Sequence, residues 1–219
     1  MLPAMQARDS LTSQGRTSRI SLTPYAYEEG SITQRASGAP TLSYQLSLPP
    51  DAKAAVLLAH GYGEHGGRYR NVVQRWAKKG LATAVLDFRG HGWSAGPRGH
   101  VERFADYHDD VDDLLAVFRE RIGELPLFGF GHSNGGLIIT THALSRPSIF
   151  RGLALTSPYF GLALAVPEAK RMLGEVASRL YPQLGVPSGL KGADLTHDDA
   201  LARLYDIDPL VNKVATARW

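Results

Sequence analysis

The sequence predicts an α/β fold, a mostly parallel sheet with helices on both faces. Three observations carry that class. Short uninterrupted apolar runs at Ala54–Ala59, Leu81–Leu86, 125–130 and 151–155 read as strands covered on both sides. Stretches with apolar residues at helical spacing separate them, and such alternation implies βα units crossing over a parallel sheet. At one strand-to-helix junction stands Gly131-His132-Ser133-Asn134-Gly135, a G-x-S-x-G pentapeptide.

Residues 1–20 are polar and aperiodic and are expected to form a disordered leader. They contain no apolar core of a secretory signal, and no run of about 18 apolar residues follows, so a cytoplasmic location is the expectation. Stretches 21–28 and 41–48 look like strands, separated by a turn-rich segment with Gly30, Ser37 and Gly38. Residues 43–48 alternate in polarity, as a strand buried on one face should, so the pair is expected as an antiparallel edge. The segment 69–79 is helical, with Val72, Val73, Trp76 and Ala77 on one face and Gly80 as its stop. Within 101–123, Val111, Leu114, Leu115 and Phe118 fall at i, i+3, i+4 and i+7. The helix after the pentapeptide is expected to reach about Leu144.

From Pro158 the texture changes. Segment 167–181 is an amphipathic helix with Met172, Val176 and Leu180 on one side. That stripe is expected to pack on the domain below, a transient membrane contact being its other use. A turn-rich stretch with Pro182, Gly185, Pro187, Gly189 and Gly192 precedes a short helix at 198–205. The division expected is a core over 21–157, a cap inserted at 158–210, and a return toward the core over 211–219.

Composition narrows the function. The 219 residues are 43% hydrophobic and 21% charged, ordinary for one folded domain with a sizeable core. A net charge of +3 with scattered basic residues gives no footprint for nucleic acid. With no cysteine there is no disulfide, thiolate metal site or cysteine nucleophile. Oligomeric state has no sequence signal.

A serine hydroxyl attacks an acyl carbon only when it is exposed, aimed and activated. Ser133 at the tip of a strand-to-helix elbow is exposed, and Gly131 and Gly135 flank it because a side chain at either position would collide as strand and helix close together. Such chemistry also needs donors for the oxyanion: one amide from the residue after the nucleophile, Asn134, and one from the loop after an earlier strand. Ala54–Ala59 runs into the glycine-rich His60-Gly61-Tyr62-Gly63-Glu64-His65-Gly66-Gly67, where Tyr62 would donate through its backbone N–H. A dinucleotide loop is the competing use of glycines after a strand, but G-x-G-x-x-G and its following acidic residue are missing. Glu64, His65, Arg89 and His91 are read as braces, since no third ligand completes a metal site with His60 and His65. No metal and no cofactor are expected. The acidic run Asp106, Asp109, Asp110, Asp112 and Asp113 is read as a solvated helix face that complements the helix dipole.

Together, His60-Gly61-Tyr62-Gly63-Glu64-His65 with Gly67-Arg68-Tyr69, then Asp87-Phe88-Arg89-Gly90-His91-Gly92 with Ser94 and Gly96-Pro97-Arg98-Gly99-His100-Val101, then Gly131-His132-Ser133-Asn134-Gly135-Gly136, resemble the monoacylglycerol lipase and lysophospholipase branch of the α/β-hydrolase fold. The resemblance covers about Ser21 to the end. It implies a serine esterase acting on small lipid-like esters through Ser133, with Tyr62 and Asn134 as backbone donors, a mobile cap and no cofactor. Asn134 departs from the methionine common at that place, which bears on pocket shape and not on reaction class. A non-catalytic acyl-binding protein, a peptidase and a thioesterase could use the same scaffold.

In this fold the acid and base follow the serine, in the order Ser, Asp, His. Only His142 and His197 follow Ser133. His142 lies about 13 Å up the elbow helix at the usual rise, out of reach. His197 falls in a capping segment in which Thr196 or Asp198 is the N-cap. The catalytic Asp and His are therefore expected to lie outside this chain, which reads as an incomplete, weakly active or inactive fragment.

Overall fold

The computed structural model describes residues 26–33, 38–161 and 167–219. The leader expected over 1–20 lies outside them, as do residues 21–25 of the first expected strand. The main sheet contains β1 (Ala26–Ile32), β2 (Leu42–Leu48), β3 (Ala54–Ala59), β4 (Leu81–Leu86), β5 (Leu127–His132) and β6 (Leu153–Thr156). Their spatial order is β1-β2-β4-β3-β5-β6. The last four in sequence run parallel. β1 and β2 form the antiparallel end. The helices between the strands are α1 (Arg70–Ala77), α2 (Ala105–Ile122) and α3 (Asn134–Ser145).

The apolar runs are continuous because each face of the central strands has its own cover. Ala55 and Leu57 of β3 and Ala84 and Leu86 of β4 join Val111, Leu114 and Phe118 of α2 and Ile138 and Ile139 of α3 in one cluster. Leu58 and Val85 point the other way, onto Val73 and Trp76 of α1 with Phe130. A strand whose odd and even residues are both buried has no polar position to alternate with. Each fully buried leucine contributes roughly 1.5–3 kcal/mol. Cover thins toward β6, where Phe128 and Leu153 remain 39% and 37% exposed. An apolar strand at a sheet edge offers unpaired backbone groups to any passing strand.

Two expectations about position are corrected. Among the described residues the first strand runs over Ala26–Ile32, past its expected end at 28 and with Gly30 inside it. Gly30 pairs with Tyr44, and a Cβ there would run into the Tyr44 ring, so the glycine marks a close approach and not a turn. The stripe of Met172, Val176 and Leu180 on α4 (Glu168–Leu180) does not pack on the domain; all three are exposed. The helix is held by its other side. Arg218 donates to the Ser178 carbonyl at 2.9 and 3.1 Å, while Ala217 and Arg218 donate backbone N–H groups to Leu184 and Pro182. Further on, β7 (Gly185–Pro187) pairs antiparallel with β8 (Val214–Thr216). Between them lie α5 (Gly192–Leu195) and α6 (Asp199–Ile207), the latter capped by the Asp198 carboxylate, which accepts from the amides of Ala200 and Leu201. Among the described residues no helix is long and apolar enough to cross a membrane.

The acidic run at the start of α2 is also corrected. Only part of it is solvated: Asp109 is exposed and Asp112 and Asp113 are half-buried, but Asp106 and Asp110 are buried, and Asp110 is fully inaccessible. The cause is Arg89, in the loop after β4. Its Nη2 lies 2.5 Å from Asp110 Oδ1, and its Nη1 lies 3.5 Å from Asp106 Oδ2. Burial works against the Arg89 charge, but the hydrogen bond and field of Asp110, with Asp106 and Asp109, outweigh it and raise its pKa. Asp112 pairs with His142 and Arg146. Among the described residues no group of three His, Asp or Glu side chains could hold a metal ion. Removing one member of a buried pair strands the other charge. Asp110→Ala is therefore expected to cost about 3–5 kcal/mol in urea denaturation, and an effect below about 1 kcal/mol, the ordinary value for exposed pairs, would refute this account.

Candidate active site

Ser133 stands between β5 and α3 with φ 50° and ψ −119°. A non-glycine residue there costs roughly 1–3 kcal/mol and persists only where its surroundings hold it. Several groups do so. The Ser133 N–H donates to the Thr156 carbonyl at 3.0 Å, and the Ser133 carbonyl accepts from the amides of Gly136 and Tyr159 at 2.9 and 3.0 Å. A Cβ on Gly131 would lie 2.6 Å from the Gly135 carbonyl oxygen and from Gly136 Cα. One on Gly135 would strike the carbonyls of Ala59 and His60. Strand, helix and the end of β3 thus meet backbone to backbone. Ser133 itself is partly exposed.

The loop after β3 lies directly against the elbow: a Cβ on Gly61 would be 3.3 Å from that of Ser133. Its shape is set by buried polar groups. His60 faces the Gly61 carbonyl through Nδ1 at 2.8 Å and accepts the Phe88 N–H at Nε2 at 3.0 Å, which places its proton on Nδ1. Glu64 accepts from the Gly61 amide, Arg68 and Tyr69 at 3.2, 3.2 and 2.7 Å. Burial alone would raise the Glu64 pKa, but the Tyr69 hydrogen bond and neighbouring positive groups bring it below the usual carboxylate range. Asp87, after β4, ties the two loops by accepting from Gly66 N at 2.6 Å and Trp93 N at 2.8 Å.

Tyr62 is anchored by its phenol, whose single proton is shared between the carbonyls of Gly99 and Val214 at 3.0 and 2.8 Å. Its N–H takes no part in the backbone–backbone hydrogen bonds of the described residues. Asn134 opens α3, so its N–H belongs to the first turn, whose amides have no partner within the helix. A cleft of about 190 Å³ adjoins the elbow, lined by Asn134, Leu137, Val101, Phe104, Tyr159 and Trp219. The Trp219 ring lies 3.8 Å from that of Tyr62 and stacks on that of Tyr159 at 6.1 Å. Apart from Val101 and Asn134, these lining residues lie outside the quoted motifs, and together they come from four separate stretches, so sequence spacing could not collect them.

All eight histidines fall within the described residues, and none is hydrogen-bonded to Ser133. His60 is engaged at both nitrogens, and His65 pairs with Asp208 at 3.0 Å. His91 faces the Arg89 carbonyl, while His100 and His108 face the hydroxyls of Thr216 and Thr141. His132 turns to Thr156, and His142 pairs with Asp112 at 2.7 Å. His197 is exposed beside the N-cap of α6.

The family model described as serine aminopeptidase, S33 (Hydrolase_4) matches residues 50–219. A monoacylglycerol lipase of Mycolicibacterium smegmatis is 32% identical over 163 residues, 74% of this chain and 58% of that protein. Phospholipase YtpA of Bacillus subtilis is 30% identical over 167 residues, 76% of this chain and 64% of that one. The crystal structure of Paleococcus ferrophilus monoacylglycerol lipase superposes with a TM-score of 0.71 at 30% identity, covering 81% of this chain and 66% of that one. The chain thus spans less than two thirds of the length of these curated relatives.

The buried imidazoles make stability pH-dependent. Burial, with the neighbouring His60, holds the His91 pKa down at about 3, and burial lowers that of His60. An unfolded chain protonates histidine near 6.5. Between about pH 6.5 and 3 the unfolded state therefore binds a proton at residue 91 that the folded state refuses, and stability falls as pH falls. Chemical denaturation is expected to lose up to roughly 1.4 kcal/mol per pH unit for such a group below pH 6. His91→Asn, whose amide can still donate to the Arg89 carbonyl, is expected to flatten that slope between pH 6.5 and 5; an unchanged slope would show that His91 is not its source.

Proposed function

The chain belongs to the Hydrolase_4 family, in the branch of the α/β-hydrolase fold that resembles monoacylglycerol lipases, and on that premise we propose that Ser133 is the nucleophile of a carboxylic-ester hydrolase acting on lipid-like substrates. The observation that carries the reading is the partly exposed Ser133 at φ 50°, with the loop after β3 against it. In the proposed reaction the Ser133 Oγ attacks the acyl carbon and loses its proton to a base. The carbonyl oxygen, now an oxyanion, is met by the N–H groups of Tyr62 and Asn134. The alcohol departs with a proton, and water then releases the acid from the acyl-serine.

An ester of an apolar acyl group suits the aromatic and aliphatic lining of the cleft, and two relatives are named as lipases of that kind. Residues 158–210 would act as the cover, with Tyr159 contributing to the wall. A peptidase, the other chemistry suggested by the family's description, would need a site for a charged amino terminus; the acidic residue at the cleft, Glu102, is paired with Arg218 at 2.8 Å.

These 219 residues carry the proposed nucleophile and donors without a histidine placed on the hydroxyl. Loss of a triad's base costs on the order of 10⁴- to 10⁶-fold in kcat in other serine hydrolases. A fluorophosphonate probe is expected to label the chain slowly, at Ser133 alone, with labelling abolished in Ser133→Ala. Labelling as fast as that of the Mycolicibacterium smegmatis relative would contradict the missing base. An adduct at another residue, read by peptide mass spectrometry, would remove Ser133 from the chemistry.

A further inference from the structure

An open cavity lies at the other end of β5 from the elbow. Its volume is about 690 Å³, and it adjoins Leu127, about 17 Å along the strand from His132 at the usual rise. Its apolar wall is Leu125, Ile149 and Phe150, half-buried side chains packed on the edge of the main core. Three charged residues share the space: Arg119, Arg151 and Glu124. Arg119 is half-buried in the last turn of α2, and its Nη1 donates to the carbonyls of Gly123 and Leu125 at 3.1 Å each. Those two bonds fix the guanidinium and leave its Nε and Nη2 without a partner among the described residues. The Arg151 side chain has neither an ion pair nor a hydrogen bond there. Other arginines that face acidic neighbours are paired with them, as Arg89, Arg146 and Arg218 are. Capping the final carbonyls of α2 accounts for one edge of Arg119. It accounts neither for the other edge nor for a second uncommitted guanidinium at the same apolar wall.

We infer that this cavity binds a monoanionic carboxylate carrying an apolar tail. A guanidinium offers donors in a planar fork that a carboxylate accepts in pairs, and such charge-assisted bonds are the strong ones. The wall of Leu125, Ile149 and Phe150 takes the tail out of water. Glu124 decides the charge of the head. With it the three charged residues sum to a single positive charge, which one carboxylate balances and a phosphate dianion exceeds. An ester hydrolase releases an acid of this class, so on the reading of Ser133 proposed above the ligand is of the same kind as its product. The site does not depend on that reading, because none of its residues belongs to the elbow or to the loop after β3.

The test measures binding and needs no turnover. The isotopically labelled chain is titrated with sodium octanoate, sodium acetate, 1-octanol and octyl phosphate, at a pH where the phosphate is a dianion. The Leu125 and Ile149 methyl groups and the arginine side-chain carbons are followed by NMR. Octanoate is expected to shift the signals of Leu125, Ile149, Arg119 and Arg151 together. Acetate, which lacks the tail, and octanol, which lacks the charge, are expected to bind at least about tenfold more weakly. Octyl phosphate is expected to bind more weakly than octanoate. Two exposed residues then move the affinity in opposite directions. Arg151→Gln is expected to weaken octanoate roughly fivefold or more, and Glu124→Gln to tighten it roughly twofold or more. The spectra report whether each variant is folded. Octanol binding as well as octanoate, octyl phosphate binding more tightly than octanoate, or an affinity indifferent to Arg151→Gln would each overturn the inference. So would octanoate shifts confined to Leu137 and Trp219, which would put the acid in the cleft at the elbow. Octanoate bound as described with no probe labelling at Ser133 would keep this site and discard the chemistry; labelling without octanoate binding would do the reverse.

Discussion

The molecule depends on one close approach: β5, the start of α3 and the end of β3 touch through backbone atoms alone. Any side chain at 131 or 135 would push them apart by more than packing can absorb. With them in contact, Ser133 has no room to relax to an ordinary conformation, and the amides on either side hold it at positive φ. Strain at a single residue is tolerated because the surrounding sheet over-determines the turn.

The second layer of organisation is polar and buried. Asp87 joins the loops that follow β3 and β4, and Glu64 fixes the inside of the first of them. His60 spans from the Gly61 carbonyl to the Phe88 amide. Each of these groups is costly to bury alone and is matched by partners, so the loops keep one shape while carrying little regular structure. Arg89 with Asp110 and Asp106 does the same between the second loop and α2.

What could be read from the residues follows from the range of the signals. Apolar runs and helical spacing are local, and β3, β4, α2 and α3 fall within a few residues of where periodicity puts them. The elbow is local too, since the pattern, the strand before it and the helix after it are contiguous. The misreadings are long-range. Asp110 looked solvated because the Arg89 that buries it is 21 residues away in sequence and bonded across a loop. Gly30 looked like a turn because Tyr44, which takes its space, belongs to the neighbouring strand. The apolar stripe on α4 looked like a packing face, whereas the Arg218 guanidinium holds the opposite side through the Ser178 carbonyl. Trp219 carries no pattern that would place it against Tyr62.

The loop bearing Tyr62 is fastened to the far end of the chain. Its phenol holds the Val214 carbonyl, the Gly63 carbonyl accepts the Asn212 amide at 2.7 Å, and His65 holds Asp208. Those same residues lead out of α6 and into β8. A displacement of that stretch is therefore expected to pull on Tyr62, whose amide is the donor proposed above.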